Sequence, residues 1–284
     1  MDKTTTLVIG IVLIIIMLGM GLSLVPSNFK DVLKQPKAVL IGLTNQLLFL
    51  PIIGFCIASN FPMQPEIAVG LMILAACPGG AISNLICFLA KADLALSVSL
   101  TAVSSLISVF TIPLIINFSV DYFIKEDQSI QLSLLETIIQ IAVVIIIPIT
   151  IGMIIRHFKP DFAKKADKSI RIFSSVILSI LIIGVLIKER GNVVSYVQQS
   201  GIPTIILNIS TVLLGFFTAK LFGLNKSQSL TVAIESGIQN SALAITIAVV
   251  LLQKTTFAVA PSIYTLVMYL SGVLLIFIAN KRKN

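Results

Sequence analysis

Charge is what this chain of 284 residues has least of: Asp, Glu, Lys and Arg together make up 11% of it, against roughly 25% in an ordinary soluble domain. With 57% of its residues hydrophobic, it cannot clothe a core in a water-facing surface, and a soluble fold is excluded. Cysteine is scarce too. Cys56, Cys77 and Cys87 lie in apolar stretches without C-x-x-C spacing, which argues against a metal site or a disulfide frame and leaves buried neutral thiols. The single histidine, His157, falls in what reads as a basic loop, and neither H-E-x-x-H nor G-x-S-x-G occurs, so an enzyme is not expected. No small-x-small cleavage site follows the apolar run at 7–24, which therefore reads as a transmembrane helix and not a secretory leader.

What is present is a succession of apolar runs, each long enough to cross a hydrocarbon core of roughly 30 Å with about 20 residues. They fall at about 7–26, 37–59, 67–90, 94–118, 131–155, 171–188, 201–220, 228–253 and 257–280, predicting nine transmembrane helices in one domain. Alternating the connecting segments between the two sides places Lys30, Lys34, Lys37, Lys91, Arg156, Lys159, Lys164, Lys165, Lys168, Arg171, Lys220, Lys226, Lys281, Arg282 and Lys283 on one side. The other side receives only Lys3, Lys125, Lys188, Arg190 and Lys254. Positive loops stay cytoplasmic, so the C-terminus is expected inside and the N-terminus outside a plasma membrane of the bacterial inner type. The same rule accounts for the formal charge of +8 without nucleic acid as a partner.

Two of the nine segments are not ordinary lipid-facing helices. The third contains Cys77-Pro78-Gly79-Gly80-Ala81-Ile82-Ser83-Asn84, where proline removes a backbone donor and the glycines loosen the helix. The eighth contains Glu235-Ser236-Gly237-Ile238-Gln239-Asn240-Ser241, a polar heptapeptide inside an apolar run. Irregular backbone at membrane depth is tolerated only where protein or a water-filled cavity surrounds it. Five crossings separate the two segments, so they run in opposite directions. This is the pattern of inverted repeats, segments 1–4 against 6–9, with two broken helices crossing at the midplane around a binding site.

Of the twelve acids, Glu235 alone lies deep within a span. An ionisable group there costs at least about 2.5–3.5 kcal/mol and normally has a partner. No Lys or Arg occurs at that depth, so the partner is expected to be a bound cation or a proton. Hard cations prefer oxygen ligands, and the same segments offer them. Ser83 and Asn84 lie at the first break, and Ser97 and Thr101 stand four apart on one face of segment four. Gln46 and Gln239 could form a second cluster. Taken alone, Ser97 and Thr101 would read as hydroxyls that bond neighbouring helices; Glu235 with Gln239 and Asn240 reads as functional.

The runs Gly19-Met20-Gly21-Leu22-Ser23-Leu24-Val25-Pro26-Ser27, Cys77 to Asn84 with Ala95-Leu96-Ser97-Val98-Ser99-Leu100-Thr101, and Glu235 to Ser241 together resemble the bile acid:sodium symporter family, above all its bacterial members. The resemblance spans essentially the whole chain. It implies an all-α integral membrane fold in which a core (37–118 and 201–280) moves against a panel (7–26 and 131–188). It also implies two sodium sites, one from Ser83, Asn84, Ser97, Thr101 and Glu235. The other would use Gln46, Glu235 and Gln239 with the backbone carbonyls of Ser236 and Ile238. The cargo, an organic anion, would lie against Gly79, Gly80, Ala81, Asn240, Ser241, Met268 and Tyr269. Half-helix N-termini near Ser83 and Asn240 would supply N–H groups for its carboxylate. Departures from the family concern the cargo: Ala81 replaces a frequent Thr, and Met268-Tyr269 stands where relatives carry His-Asn before Ser271-Gly272. A small carboxylate such as pantoate is thus as much in view as a bile-acid-like molecule. The expected protein is a monomeric sodium-coupled importer working by alternating access. The alternative is a proton-coupled transporter or efflux permease of the same architecture, with Glu235 as proton carrier and Cys77 as a soft ligand.

Overall fold

The computed structural model describes residues 3–25, 32–124, 134–188 and 190–281. In chain order the helices are α1 (Lys3–Ser23), α2 (Pro36–Asn60), α3 (Pro65–Ala76), α4 (Ala81–Leu89), α5 (Leu94–Phe123) and α6 (Leu134–Phe158). They continue with α7 (Pro160–Lys188), α8 (Val193–Leu221), α9 (Lys226–Gly237), α10 (Ser241–Leu251) and α11 (Thr255–Lys281). No strand occurs among the described residues beyond one isolated bridge between Gly79 and Gln239. Five described helices, α2, α5, most of α6, α8 and α11, are long and apolar enough to cross a bilayer, and their outward faces carry exposed Leu, Ile, Val and Phe. A water-soluble bundle shows the reverse pattern, so the chain is an integral membrane protein.

The termini of these helices follow local chemistry. Pro36 and Pro65 open α2 and α3 at positions where a missing N–H costs nothing. Asp93 caps α5 by accepting from the Leu96 N–H at 3.0 Å, and Asn225 with Gln228 forms a capping box on α9. Inside α2, Pro51 cannot donate to the carbonyl four residues back. The helix accommodates it with a wide π turn over Asn45–Phe49, closed by the Leu50 N–H on Asn45 O. That turn carries Gln46.

Several expected boundaries shift. The sixth segment starts at Pro160 instead of 171 and the seventh at Val193 instead of 201, because helices continue past the apolar run and hydropathy marks only the part that needs lipid. His157 is not in a loop; it occupies the last turn of α6 with Arg156, where positive charge complements the helix dipole. Pro26, Ser27, Lys30, Lys125, residues 131–133, Arg282 and Lys283 lie outside the described residues.

Helix α1 packs chiefly on α6 and α7, and α6 also borders α5, while α2 to α5 and α8 to α11 pack around one another. Glycine permits the tightest of these contacts. A Cβ on Gly21 would strike the Ile149 backbone, and one on Gly152 would strike Leu18 O, so α1 and α6 touch main chain to main chain. The Gly19 to Ser27 run thus serves, in its described part, as a packing motif.

Candidate functional site

Helix α3 stops at Ala76 because Pro78 has no N–H to extend the ladder, and Cys77 and Gly80 are extended before α4 begins. Helix α9 stops at Gly237, and Ile238 is extended before α10 begins. The interruptions meet. Gly79 and Gln239 form an antiparallel bridge, and the Asn240 N–H donates to Pro78 O at 2.8 Å. Other orphan groups find side chains: Asn208 Nδ2 and Tyr264 OH both donate to Gly237 O, at 2.7 and 2.8 Å, and Asn240 Oδ1 accepts from the Leu243 N–H at 3.1 Å. Breaks in two apolar helices are thereby satisfied within the protein, as burial requires.

The break in the eighth segment is shorter than the heptapeptide implies. Glu235, Ser236 and Gly237 remain helical, so the α9 backbone holds the Glu235 carboxylate and aims it at α5. Glu235 is 1% exposed. Ser97 Oγ donates to Glu235 Oε1 at 2.5 Å and also lies 2.7 Å from Asn84 Oδ1; Thr101 Oγ1 is 3.0 Å from Glu235 Oε2 and 3.4 Å from Asn84 Oδ1. Ser83, also buried, turns its hydroxyl to Gly80 O at 2.7 Å. Five predicted residues from α4, α5 and α9 are therefore brought together. Two hydroxyl protons, those of Ser97 and Thr101, stand among three acceptor oxygens, so the cluster is rich in lone pairs.

Beside it lies a second group. Gln239 Nε2 donates to Ser236 O at 2.8 Å and reaches Glu235 O at 3.4 Å, while Gln239 Oε1 and both amide atoms of Gln46 are buried without a hydrogen-bond partner. Leaving such atoms unpaired costs roughly 1–3 kcal/mol each, and a bound cation would turn the oxygens into ligands. Gly79 separates the two groups: a Cβ there would sit 2.5 Å from Glu235 Oε2, 3.2 Å from Gln46 Nε2 and 3.4 Å from Ser83 Oγ. The Ser236 hydroxyl turns instead toward α8, where a Cβ on Gly215 would be 2.7 Å from it.

The residues expected to meet the cargo are less tightly grouped. Gly79 faces the oxygen clusters, Gly80 lies beside Asn240, and the Ser241 hydroxyl donates weakly to Met268 Sδ at 3.6 Å. Met268 is fully buried, Ala81 is partly exposed, and Tyr269 is partly buried against the hydrophobic core. A cavity of about 440 Å³ opens between α1, α5 and α6, lined among others by Leu24, Ala102, Ser105, Ile149, Met153 and His157. Its wall begins one residue from Thr101. Asn208 and Tyr264, which hold the end of α9, are absent from the sequence-based set; an amide in the middle of an apolar run is the signal that would have found Asn208.

Paired helix breaks around a buried carboxylate, in an all-helical protein with lipid-facing walls, define a membrane transporter. The family model for the sodium bile acid symporter family matches residues 10–196. The sodium-dependent transporter YocS of Bacillus subtilis (strain 168) is 33% identical over 272 residues, covering 94% of this chain and 81% of its own. The ileal sodium/bile acid cotransporter of Oryctolagus cuniculus is 29% identical over 241 residues, 84% of this chain and 68% of its own. A chloroplastic protein of Oryza sativa subsp. japonica, named as a probable sodium/metabolite cotransporter, is 28% identical over 261 residues, 90% of this chain and 60% of its own. The chain belongs to the sodium bile acid symporter family. It is a sodium-dependent membrane transporter and not an enzyme.

Proposed function

We propose that this protein imports a small organic anion together with two sodium ions by alternating access, across nine spans with inverted repeats and with its N-terminus outside. The observation that carries the reading is the buried Glu235 carboxylate, whose hydrogen-bond partners are the Ser97 and Thr101 hydroxyls. One sodium ion enters among Glu235, Asn84, Ser97, Thr101 and Ser83, displacing the hydroxyl protons from their present acceptors. A second binds between Gln46 and Gln239, drawing on the far side of Glu235 and on backbone oxygen from Ser236 and Ile238. The unpaired amide atoms of Gln46 and Gln239 support that placement.

The charge count selects the cargo. Two cations against one carboxylate leave about one net positive charge, which draws a monoanion to the α4 end of the break, near Gly80, Ala81, Asn240 and Ser241. Helix α4 begins there, and the free N–H groups of a helix N-terminus suit a carboxylate. Metabolite and bile-acid cotransport among the relatives supports an organic anion, and the departures at Ala81, Met268 and Tyr269 leave a small carboxylate such as pantoate as much in view as a bile-acid-like molecule. In the moving parts, α1, α6 and α7 form the panel and the remaining helices the core. The cavity between α1, α5 and α6 lies along that seam and serves as the cargo's route.

Thermal unfolding of the purified protein with a series of small carboxylates, each with and without sodium, identifies the cargo, since a ligand that binds only the folded state raises stability by mass action. Uptake of that compound into proteoliposomes then follows a sodium gradient. Two cations and one anion move a net charge of +1, worth about 2.3 kcal/mol per 100 mV, so an inside-negative potential accelerates uptake. Transport driven equally by a proton gradient without sodium overturns the coupling, and indifference to the potential overturns the two-to-one stoichiometry.

A further inference from the structure

The molecule has a second large recess, away from the helix breaks and different from them in kind. It is a groove of about 400 Å³ between the C-terminal end of α8, the first turns of α9 and the C-terminal end of α11. Its depth is apolar, with Phe216 and Leu275 among the lining residues, and at Ile278, 42% exposed, it reaches the outer surface that faces lipid. Its rim is basic. Lys220 and Lys226 both line it, and no lining residue is acidic. Lys220 Nζ stands 5.7 Å above the Phe216 ring, so the ammonium is held at the junction of the charged rim and the apolar floor. A third cation lies close by: Lys37 Nζ is 4.0 Å from where a Cβ on Gly223 would be, in the turn that joins α8 to α9. Lys226 is also the first residue of α9, whose N-terminal dipole adds positive potential to the same rim.

Each alternative occupant fails on one of these features. The organic-anion route runs between α1, α5 and α6, on other elements. A protein partner would need a broad face, whereas this is a cleft between three helices whose apolar wall reaches the lipid-facing surface. A soluble anion would gain from the lysines but nothing from the apolar floor. A molecule with an anionic head and a hydrocarbon tail uses both, and basic pockets between transmembrane helices bind such headgroups.

We propose that this groove is a binding site for an anionic phospholipid, with the headgroup phosphate between Lys220 and Lys226 and the upper part of an acyl chain along Phe216, Leu275 and Ile278. None of these residues belongs to the proposed sodium or cargo sites, so occupancy ties α8, α9 and α11 together from the lipid side. The lipid thereby steadies the helix, α9, that carries Glu235.

The test uses the delipidated full chain in detergent, titrated with dioleoylphosphatidylglycerol, dioleoylphosphatidylcholine or inorganic phosphate, read by native mass spectrometry and thermal unfolding. Phosphatidylglycerol should bind at one preferred site and raise the unfolding midpoint, while phosphatidylcholine and phosphate should not. The double variant Lys220→Gln/Lys226→Gln should lose roughly tenfold or more in phosphatidylglycerol affinity, and Leu275→Trp, which fills the floor with both lysines in place, should lose it as well. Lys165→Gln/Lys254→Gln, equal in charge removed but at residues that do not line the groove, should bind as the parent does. An equal loss in that control pair, undiminished binding in both groove variants, or protection by phosphate alone overturns the proposal. Sodium-dependent stabilisation measured on the same samples reports folding of each variant and, separately, the state of the ion site.

Discussion

The two interrupted helices reach the same result by different means. The first break is written into its own residues: Pro78 lacks the donor that would continue α3, and two glycines follow that gain little from a helix. The second contains no proline, and its polar residues up to Gly237 stay helical. It is held open from outside, by Asn208 and Tyr264 donating to Gly237 O and by Pro78 O accepting from the Asn240 N–H. The consequence is a division of roles. The locally encoded break lends shape and a backbone acceptor, and the tertiary one presents the charge.

Glu235→Gln should produce the largest effect, because it removes the only buried charge among the described residues while keeping the side chain's size. Contacts to a charged group are worth roughly 1.5–3 kcal/mol each, so sodium affinity should fall about 100-fold or more, with sodium-dependent stabilisation lost and expression retained. Unchanged sodium-coupled uptake in that variant would remove Glu235 from the ion site.

Gly79→Ala tests whether the first break contributes more than shape. Its methyl group would press on Glu235 Oε2 and Gln46 Nε2. Sodium binding should weaken by about tenfold, equivalent to roughly 1.4 kcal/mol, while the protein still folds; a sodium titration identical to the parent's would show that the gap between the clusters is immaterial.

Tyr264→Phe and Asn208→Ala probe the external support of the second break. Tyr264→Phe leaves Asn208 on Gly237 O and should cost about 1 kcal/mol, whereas Asn208→Ala should cost about 1–3 kcal/mol because a buried carbonyl loses its closer donor. The double variant should cost more than the sum, since it alone leaves Gly237 O without both donors. Additive losses in thermal unfolding would mean that the two donors do not share the support of that oxygen.

The smallest expected effect is on stability at the surface. Lys165→Cys and Lys254→Cys in a cysteine-free background should each change stability by no more than about 0.5 kcal/mol and should label from opposite sides of the membrane. Labelling from one side rejects the nine-span topology and the opposed orientation of the two broken helices.

Membrane character and the approximate positions of the five long apolar helices were legible in the sequence. They follow from quantities that a residue carries with it: transfer free energy, a missing N–H, a charge with no counter-charge at its depth. Helix ends were less legible, as at Pro160 and Val193, because a helix can extend beyond the lipid without any change in its backbone bonding. His157 looked like a loop residue for the same reason.

The sequence by itself determined that Glu235 needs a partner and that oxygens from Ser83, Asn84, Ser97 and Thr101 are the candidates, since burial of a lone carboxylate is costly wherever it occurs. Only the tertiary structure decided that these side chains meet. It set Ser97 and Thr101 against the two carboxylate oxygens, left Gln46 and the Gln239 oxygen unpaired beside them, and turned the Ser236 hydroxyl away toward α8. It also recruited Asn208 and Tyr264 to an orphaned carbonyl. Hydrogen bonds have directions and reach, and both depend on how distant helices pack, which no residue's own chemistry specifies.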